Sequence, residues 1–385
     1  MMGIRRTSSG KDVVLAAGPR QSTGVQRAAP IPTTRAVWTA LALAILVVCA
    51  GCSSSNPTSA QSLTTTDHQD RSTAAAALPR SPSQPGTRTA IPAHSAITHV
   101  VIPTDGAQHA QTALVYLPAA YFDPAQRTRH FPVVELFDGA DTTPQDWLTR
   151  LHLQQTADTE IAAGRATPFI AVMPTQNYLG HDHDGECVNA VHGAQQDTTL
   201  STDVRAVMLR AFRAERTRKA WALMGFSTGG YCALNLAMRH PDWYSTVVDE
   251  AGDTTPYLDV TTGALFAGRT ALFRANSPLW QVREGHDPDL HVLMIAGDRD
   301  RRALRQYDQF LPLTHSPMQM WDMFVHVEGH GYRAFLRFEP AAFDWLSSQF
   351  HPTPLSRARS VLGARPTPYH PGQTLPTPAP VTTKR

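Results

Sequence analysis

The run Gly225-Phe226-Ser227-Thr228-Gly229-Gly230 constrains this chain more than any other stretch of it. A serine flanked by glycines two before and two after is what a sharp strand-to-helix turn demands. Strand and helix almost touch there, and the serine is forced into a strained backbone conformation. Gly-x-Ser-x-Gly alone is a weak signal, because both residues are common. Here it follows the apolar run 219–224 (KAWALM), which reads as a strand, and it opens a helical pattern at Tyr231, Leu234, Asn235 and Met238 that Pro241 ends. That context makes Ser227 a candidate nucleophile for acyl transfer. A serine hydroxyl attacks well only when a base removes its proton. An acid and then a histidine are therefore expected downstream, each in a loop after a later strand.

Both are present in that order. After the strand pattern 291–296 comes Gly297-Asp298-Arg299-Asp300, and after the pattern 320–327 comes Glu328-Gly329-His330-Gly331. His330, between two glycines, is the candidate general base; His240 and His291 read as element ends. Asp298 and Asp300 are both candidates for the acid that orients it. Negative charge developing in the transition state needs two backbone N–H donors. Thr228, directly after the nucleophile, supplies one. Ala140, in the loop Asp138-Gly139-Ala140 after an early strand, is the expected second.

Outside these motifs, strand and helix patterns alternate. Residues 96–103 and 111–117 read as an antiparallel edge pair, and 131–137 (FPVVELF) and 168–173 as short buried strands. Helical spacing covers 144–163 and 201–212, with Ser201 or Thr202 as cap. A strand is expected at 244–248, and a closing helix over 332–350. This alternation predicts an α/β domain over 96–352, a mostly parallel sheet with helices on both faces. Glu135, a charge inside an apolar strand, calls for an edge position or a polar partner.

Taken together, PVVELFDG followed by Asp146-Trp147, GFSTGGYCALNLAMRHP, GDRD, and EGH before an aromatic helix resemble an esterase family of α/β-hydrolases. That family includes S-formylglutathione hydrolase (esterase D), feruloyl esterases and the mycolyltransferases of the mycobacterial antigen complex. The resemblance spans about residues 96–350 and implies the α/β-hydrolase fold, an acyl-enzyme on Ser227 and no cofactor. In the related pattern the acid stands three residues after the glycine, which favours Asp300 and leaves Asp298 as the alternative. Many members have His-Gly where this chain has Asp138-Gly139. The mycolyltransferases share Asp-Gly, so the likeness leans towards that exported, actinobacterial branch.

The ends of the chain differ from its middle. Residues 1–35 carry six Arg/Lys and a single acid, Asp12, and residues 36–50 are apolar throughout. A basic flank, a short apolar stretch and small residues form an export signal, a little short for a membrane-spanning helix. Ala50-Gly51-Cys52 resembles a bacterial lipoprotein cleavage site, with Cys49 a departure from it. The expectations are a lipid on Cys52, an uncleaved anchor or a secreted form, with the bulk of the chain outside the cytoplasm in each. Residues 53–95 read as a Ser/Thr/Pro-rich tether, and 353–385 as a Pro-rich disordered or extended tail. A net charge of +2 with no Lys/Arg-rich run argues against nucleic acid as a partner.

Two cysteines remain in the domain, Cys187 and Cys232. In an exported protein they invite one disulfide; the alternative is a buried thiol at Cys232 with Cys187 free. Residues 180–184 (GHDHD) look like metal ligands, but all lie in one short loop with no partner segment, so a polar loop at the cleft rim is the better reading and no metal is expected. Asp249, Glu250 and Asp253 read as a solvated strand end, and Phe266, Phe273 and Leu279 as an apolar pocket wall or simply core. The expected activity is hydrolysis of a small-molecule, lipid or glycolipid ester. Two alternatives stand beside it: transfer of the acyl group to a sugar or glycerol hydroxyl, and a binding protein that has lost the chemistry. The intact Ser-Asp-His set speaks against the last.

Overall fold

The computed structural model describes residues 94–104, 109–177, 184–326, 328–350 and 365–377. The basic N-terminal region, the 36–52 signal with Cys52, the 53–95 tether up to residue 93 and residues 180–183 lie outside these. Strands β1 (Ala96–Thr104), β2 (His109–Leu117), β3 (Val133–Phe137), β4 (Ile170–Met173), β5 (Trp221–Phe226), β6 (Thr246–Glu250), β7 (His291–Gly297), β8 (Gln319–Val325) and β9 (Thr367–Pro368) form one sheet in the order β1-β2-β4-β3-β5-β6-β7-β8-β9. The six strands from β4 through β8 run parallel; β1, β2 and β9 are antiparallel additions at the edges. Every residue of β3, β4, β5 and β6 is buried, as strands covered by helices on both faces must be, whereas β1 at the edge is largely half-exposed.

The helices are α1 (Pro144–Thr149), α2 (Leu153–Ala162), α3 (Val204–Ala211), α4 (Thr228–Arg239), α5 (Thr270–Ala275), α6 (Pro278–Arg283), α7 (Arg301–Phe310) and α8 (Tyr332–Phe350). The single helix expected over 144–163 is broken at His152, whose φ is 53°. Trp147, Leu151 and Leu153 are all fully buried. On one straight helix, positions 151 and 153 point about 200° apart, so the chain turns to bury both. Nor does Ser201 cap a helix. A wide turn over Thr198–Asp203 precedes α3, and the buried Ser201 hydroxyl donates back to the Asp197 carbonyl at 2.6 Å.

Four other readings are corrected or resolved. Part of the Pro-rich tail is docked, because residues 367–368 pair with β8 and cover its open edge. There Thr367 Oγ1 and Gln373 Nε2 donate to the Asp322 carboxylate at 2.7 and 2.9 Å, and Tyr369 is buried. Proline excludes a central strand but suits this one at the rim. Glu135 is not at an edge: β3 is flanked by β4 and β5, and the side chain is fully buried facing Tyr244 and Arg205. Burial pushes its carboxyl well above the usual range, and those two groups pull only partly the other way. Asp249 and Glu250 are fully buried rather than solvated. Leu279 belongs to the main core, while Phe266 joins Val188 and Leu265 in a small separate cluster with Phe273 against it.

Candidate active site

All the parallel strands end on one side, and the loops leaving β3, β5, β7 and β8 carry Asp138, Ser227, Asp300 and His330 respectively. Register brings them together: Phe137 pairs with Gly225, Phe226 with Glu250, and Gly297 with Val325. Open parallel sheets place their ligands beyond such strand ends.

Ser227 occupies the turn between β5 and α4 with φ 56° and ψ −125°, a conformation that costs on the order of 1–3 kcal/mol in a non-glycine residue. Its own N–H holds it there by donating to the Glu250 carbonyl at 2.9 Å. The flanking glycines are obligatory. A methyl group on Gly225 would lie 2.2 Å from the Gly229 carbonyl oxygen, and one on Gly229 would lie 2.2 Å from that of Phe137. Beneath the turn, the Asp249 carboxylate accepts from Gly252 N–H at 2.7 Å and from the Tyr307 hydroxyl at 3.2 Å. Its other oxygen has no partner among the described residues, and burial pushes the group up to about 7.

His330 Nε2 lies 2.9 Å from Ser227 Oγ, and His330 Nδ1 lies 2.6 Å from Asp300 Oδ2. With Nδ1 protonated, the ring donates to Asp300 and accepts from the serine. Asp300 caps α7, its Oδ1 accepting from the backbone N–H groups of Arg302 and Ala303 at 3.2 and 3.1 Å. Burial pulls this carboxyl upward, but the His330 hydrogen bond and the two N–H donors outweigh it and hold the group below the usual range. Asp298, the alternative acid, instead pairs with His326 Nδ1 at 2.5 Å on the outer surface. The histidine loop is itself anchored, since the buried Glu328 binds Arg333 and Arg337, and its carbonyl accepts from Arg299 N–H at 2.8 Å. His330 stays open to solvent, with Phe335 packed edge-on at 5.4 Å.

The two residues proposed as oxyanion donors flank the serine. Thr228 opens α4, so its N–H has no carbonyl one turn back. Ala140 follows Gly139, and a methyl group on Gly139 would come within 3.3 Å of Ser227 Cβ. Cys187 and Cys232 are disulfide-bonded across 45 residues. Both sulfurs lie 3.4 Å from Gln176 Oε1, and Gln176 Nε2 donates to the Asp138 carbonyl at 2.5 Å. No sequence signal singled out Gln176, and Thr142, which touches Asp138 and Gly139, was missed too. The loop after β4 meets the excursion after β6: Val191 N–H donates to Leu265 O at 2.9 Å, and Tyr257 N–H to the buried Glu186 at 3.1 Å. Between them lies a recess of about 290 Å³. Of the GHDHD loop only Asp184 is described, and no cluster of metal-ligating side chains occurs among the described residues.

A parallel sheet with a strained serine turn after its central strand, and an acid and a histidine in later loops, defines an α/β-hydrolase. Residues 106–334, more than half the chain, match the family described as "Putative esterase", and the chain belongs to that family. An uncharacterized protein of Corynebacterium glutamicum is 27% identical over 252 residues, covering 62% of this chain and 58% of that protein, so less than two thirds of the relative's length is matched. Among solved structures, a ferulic acid esterase superposes with a TM-score of 0.57 at 20% identity, over 67% of this chain and 99% of that one. An S-formylglutathione hydrolase from Agrobacterium tumefaciens gives 0.55 at 17% identity, over 66% and 95%. These likenesses establish the fold.

Proposed function

We propose that this domain is a serine carboxylic-ester hydrolase acting through Ser227, His330 and Asp300. The observation that carries the reading is the unbroken hydrogen-bonded line from Ser227 Oγ to His330 to Asp300 at a strained turn. Ser227 Oγ attacks the ester carbonyl while its proton passes to His330 Nε2, and Asp300 stabilises the imidazolium. The N–H groups of Thr228 and Ala140 receive the oxyanion. Collapse expels the alcohol with the proton from His330 and leaves an acyl-Ser227 ester. Water, deprotonated by His330, then releases the acid. A lipid or glycolipid ester, or a smaller one, would each serve as substrate. A fluorophosphonate probe should label the wild-type protein and spare Ser227→Ala; a folded wild-type protein that takes no label would sink the reading. Product analysis with trehalose or glycerol present separates hydrolysis, which yields only free acid, from acyl transfer.

The same reading places the domain outside the cytoplasm. The basic flank and apolar run of residues 1–50 support export, and Ala50-Gly51-Cys52 supports a lipid anchor. The Cys187–Cys232 disulfide suits an oxidising compartment. Mass spectrometry of the protein from its host, showing Cys52 unmodified and the first 51 residues retained, would reject lipidation.

A further inference from the structure

We propose that Thr142 is the positioning residue for the Ala140 oxyanion donor, its hydroxyl proton kept on the Gly139 carbonyl by a hydrogen bond that Asp138 donates. This rests on the esterase reading above and on Ala140 N–H as a donor. In a trans peptide the carbonyl of one residue and the N–H of the next point in opposite directions within one plane. Whatever holds Gly139 O therefore aims Ala140 N–H. Thr142 Oγ1 sits 2.8 Å from Gly139 O, and a carbonyl oxygen can only accept, so the hydroxyl gives its one proton there.

The same hydroxyl lies 3.2 Å from Asp138 Oδ2. With its proton committed to Gly139, Thr142 meets Asp138 favourably only if the carboxyl supplies a proton of its own. An ionised Asp138 would instead compete with Gly139 O for the single threonine proton. The surroundings favour the neutral acid: Asp138 is buried, and its Oδ1 has no partner among the described residues. Burial pushes the group up to about 7, its own backbone N–H and Thr142 pull back, and the charges of Asp146 and Asp184 add to the rise. The other groups facing this corner are the Tyr332 hydroxyl of α8 and Arg150, which pairs with Asp146 and lies over the Tyr332 ring at 4.8 Å. Gln176 restrains the preceding peptide through the Asp138 carbonyl. The oxyanion loop is thus held by one fixed hydrogen bond and one that titrates.

The test is steady-state hydrolysis of a soluble p-nitrophenyl ester from pH 5.5 to 9 by the full chain. Thr142→Val should lower kcat roughly 10- to 100-fold with KM changed less than about twofold, and Thr142→Ser should restore most of it. Wild-type kcat should decline as pH rises through about 7, where Asp138 loses its proton. Asp138→Asn, whose amide donates at every pH, should match the wild type at pH 6 and lose that decline. Wild-type turnover in Thr142→Val, or an unchanged decline in Asp138→Asn, overturns the relay. If Thr142→Val does not fold, the serine and asparagine variants decide alone. Turnover surviving Ser227→Ala would remove the esterase reading itself, a result distinct from either.

Discussion

Two aspartates stand on opposite sides of Ser227, each in the loop that leaves a parallel strand, and the fold treats them in opposite ways. Asp300, after β7, is buried yet held below the usual carboxylate range, because His330 and two backbone N–H groups donate to it. Asp138, after β3, is pushed up to about 7, chiefly by its burial, with the charges of Asp146 and Asp184 adding to the rise. Burial alone does not set the protonation state. Burial and hydrogen-bond donors act together, and their balance favours the charged form of Asp300 and shifts Asp138 towards the protonated one.

Breaking the charged side should have the largest effect. Asp300→Asn cannot accept the Nδ1 proton in the same way, so His330 would favour the wrong tautomer and turnover should fall about 10⁴-fold with little change in KM. Steady-state kinetics on a folded variant checks this. A loss under about tenfold would mean that Asp300 is not the acid.

The next test falls on the Asp138 side. The disulfide sits beneath that loop, linked to it through Gln176 rather than to the Asp300 loop. Closing 45 residues in the unfolded chain is worth about 4 kcal/mol on the loop-entropy view. Cys187→Ser with Cys232→Ser should lower the unfolding free energy by about that amount in denaturant titration. At a temperature where the variant is folded, kcat should drop while fluorophosphonate still reacts with Ser227. Equal stability with and without the bridge would contradict the expectation.

A subtler effect tests whether the same balance governs buried carboxyls generally. Asp249, beneath the nucleophile turn, is also pushed up to about 7. A folded-state value above the unfolded one gives stability that is fully present below about pH 4 and lost as pH rises through 7. Between pH 5 and 8 this group alone should therefore remove on the order of 2–3 kcal/mol. Asp249→Asn should show a flatter stability curve over that window by chemical denaturation. A variant curve parallel to wild type would show that Asp249 is already charged in the folded protein.

The sequence made the charged half of this comparison legible and the protonated half opaque. Ser227, His330 and the GDRD turn announce themselves through glycines and through order along the chain, both consequences of how little room the strand ends leave. The sheet was readable for the same reason, since buried parallel strands appear as short apolar runs. Asp138 was visible only as the residue before a glycine. Its protonation depends on which donors the fold brings near, and Thr142 and Gln176 carry no pattern that marks them. Buried acids misled in a consistent direction: Asp249 and Glu250 were read as solvated, and an edge position was left open for Glu135, because a charge in sequence says nothing of the proton it can keep. The break at His152 and the docked residues 367–368 likewise depend on tertiary packing that no local period records.

The smallest expected effect separates Asp300 from its neighbour. Asp298 lies two residues away and is itself partly buried, but its partner His326 has a side chain 86% exposed, so solvent reaches the pair from the histidine side. Such pairs contribute about 0–1 kcal/mol and weaken with salt. Asp298→Asn should therefore keep kcat and KM within about twofold of wild type and shift stability by less than about 1 kcal/mol. Measured beside Asp300→Asn, it asks whether the acid is chosen by position in the GDRD turn or by contact with His330. The helix provides the physical reason: Asp300 begins α7 and is fixed by its N–H groups facing inward, while Asp298 still belongs to the turn leaving β7. A loss in Asp298→Asn comparable to that in Asp300→Asn would mean the two carboxylates act together, and the single line from Ser227 through His330 to Asp300 would have to be redrawn.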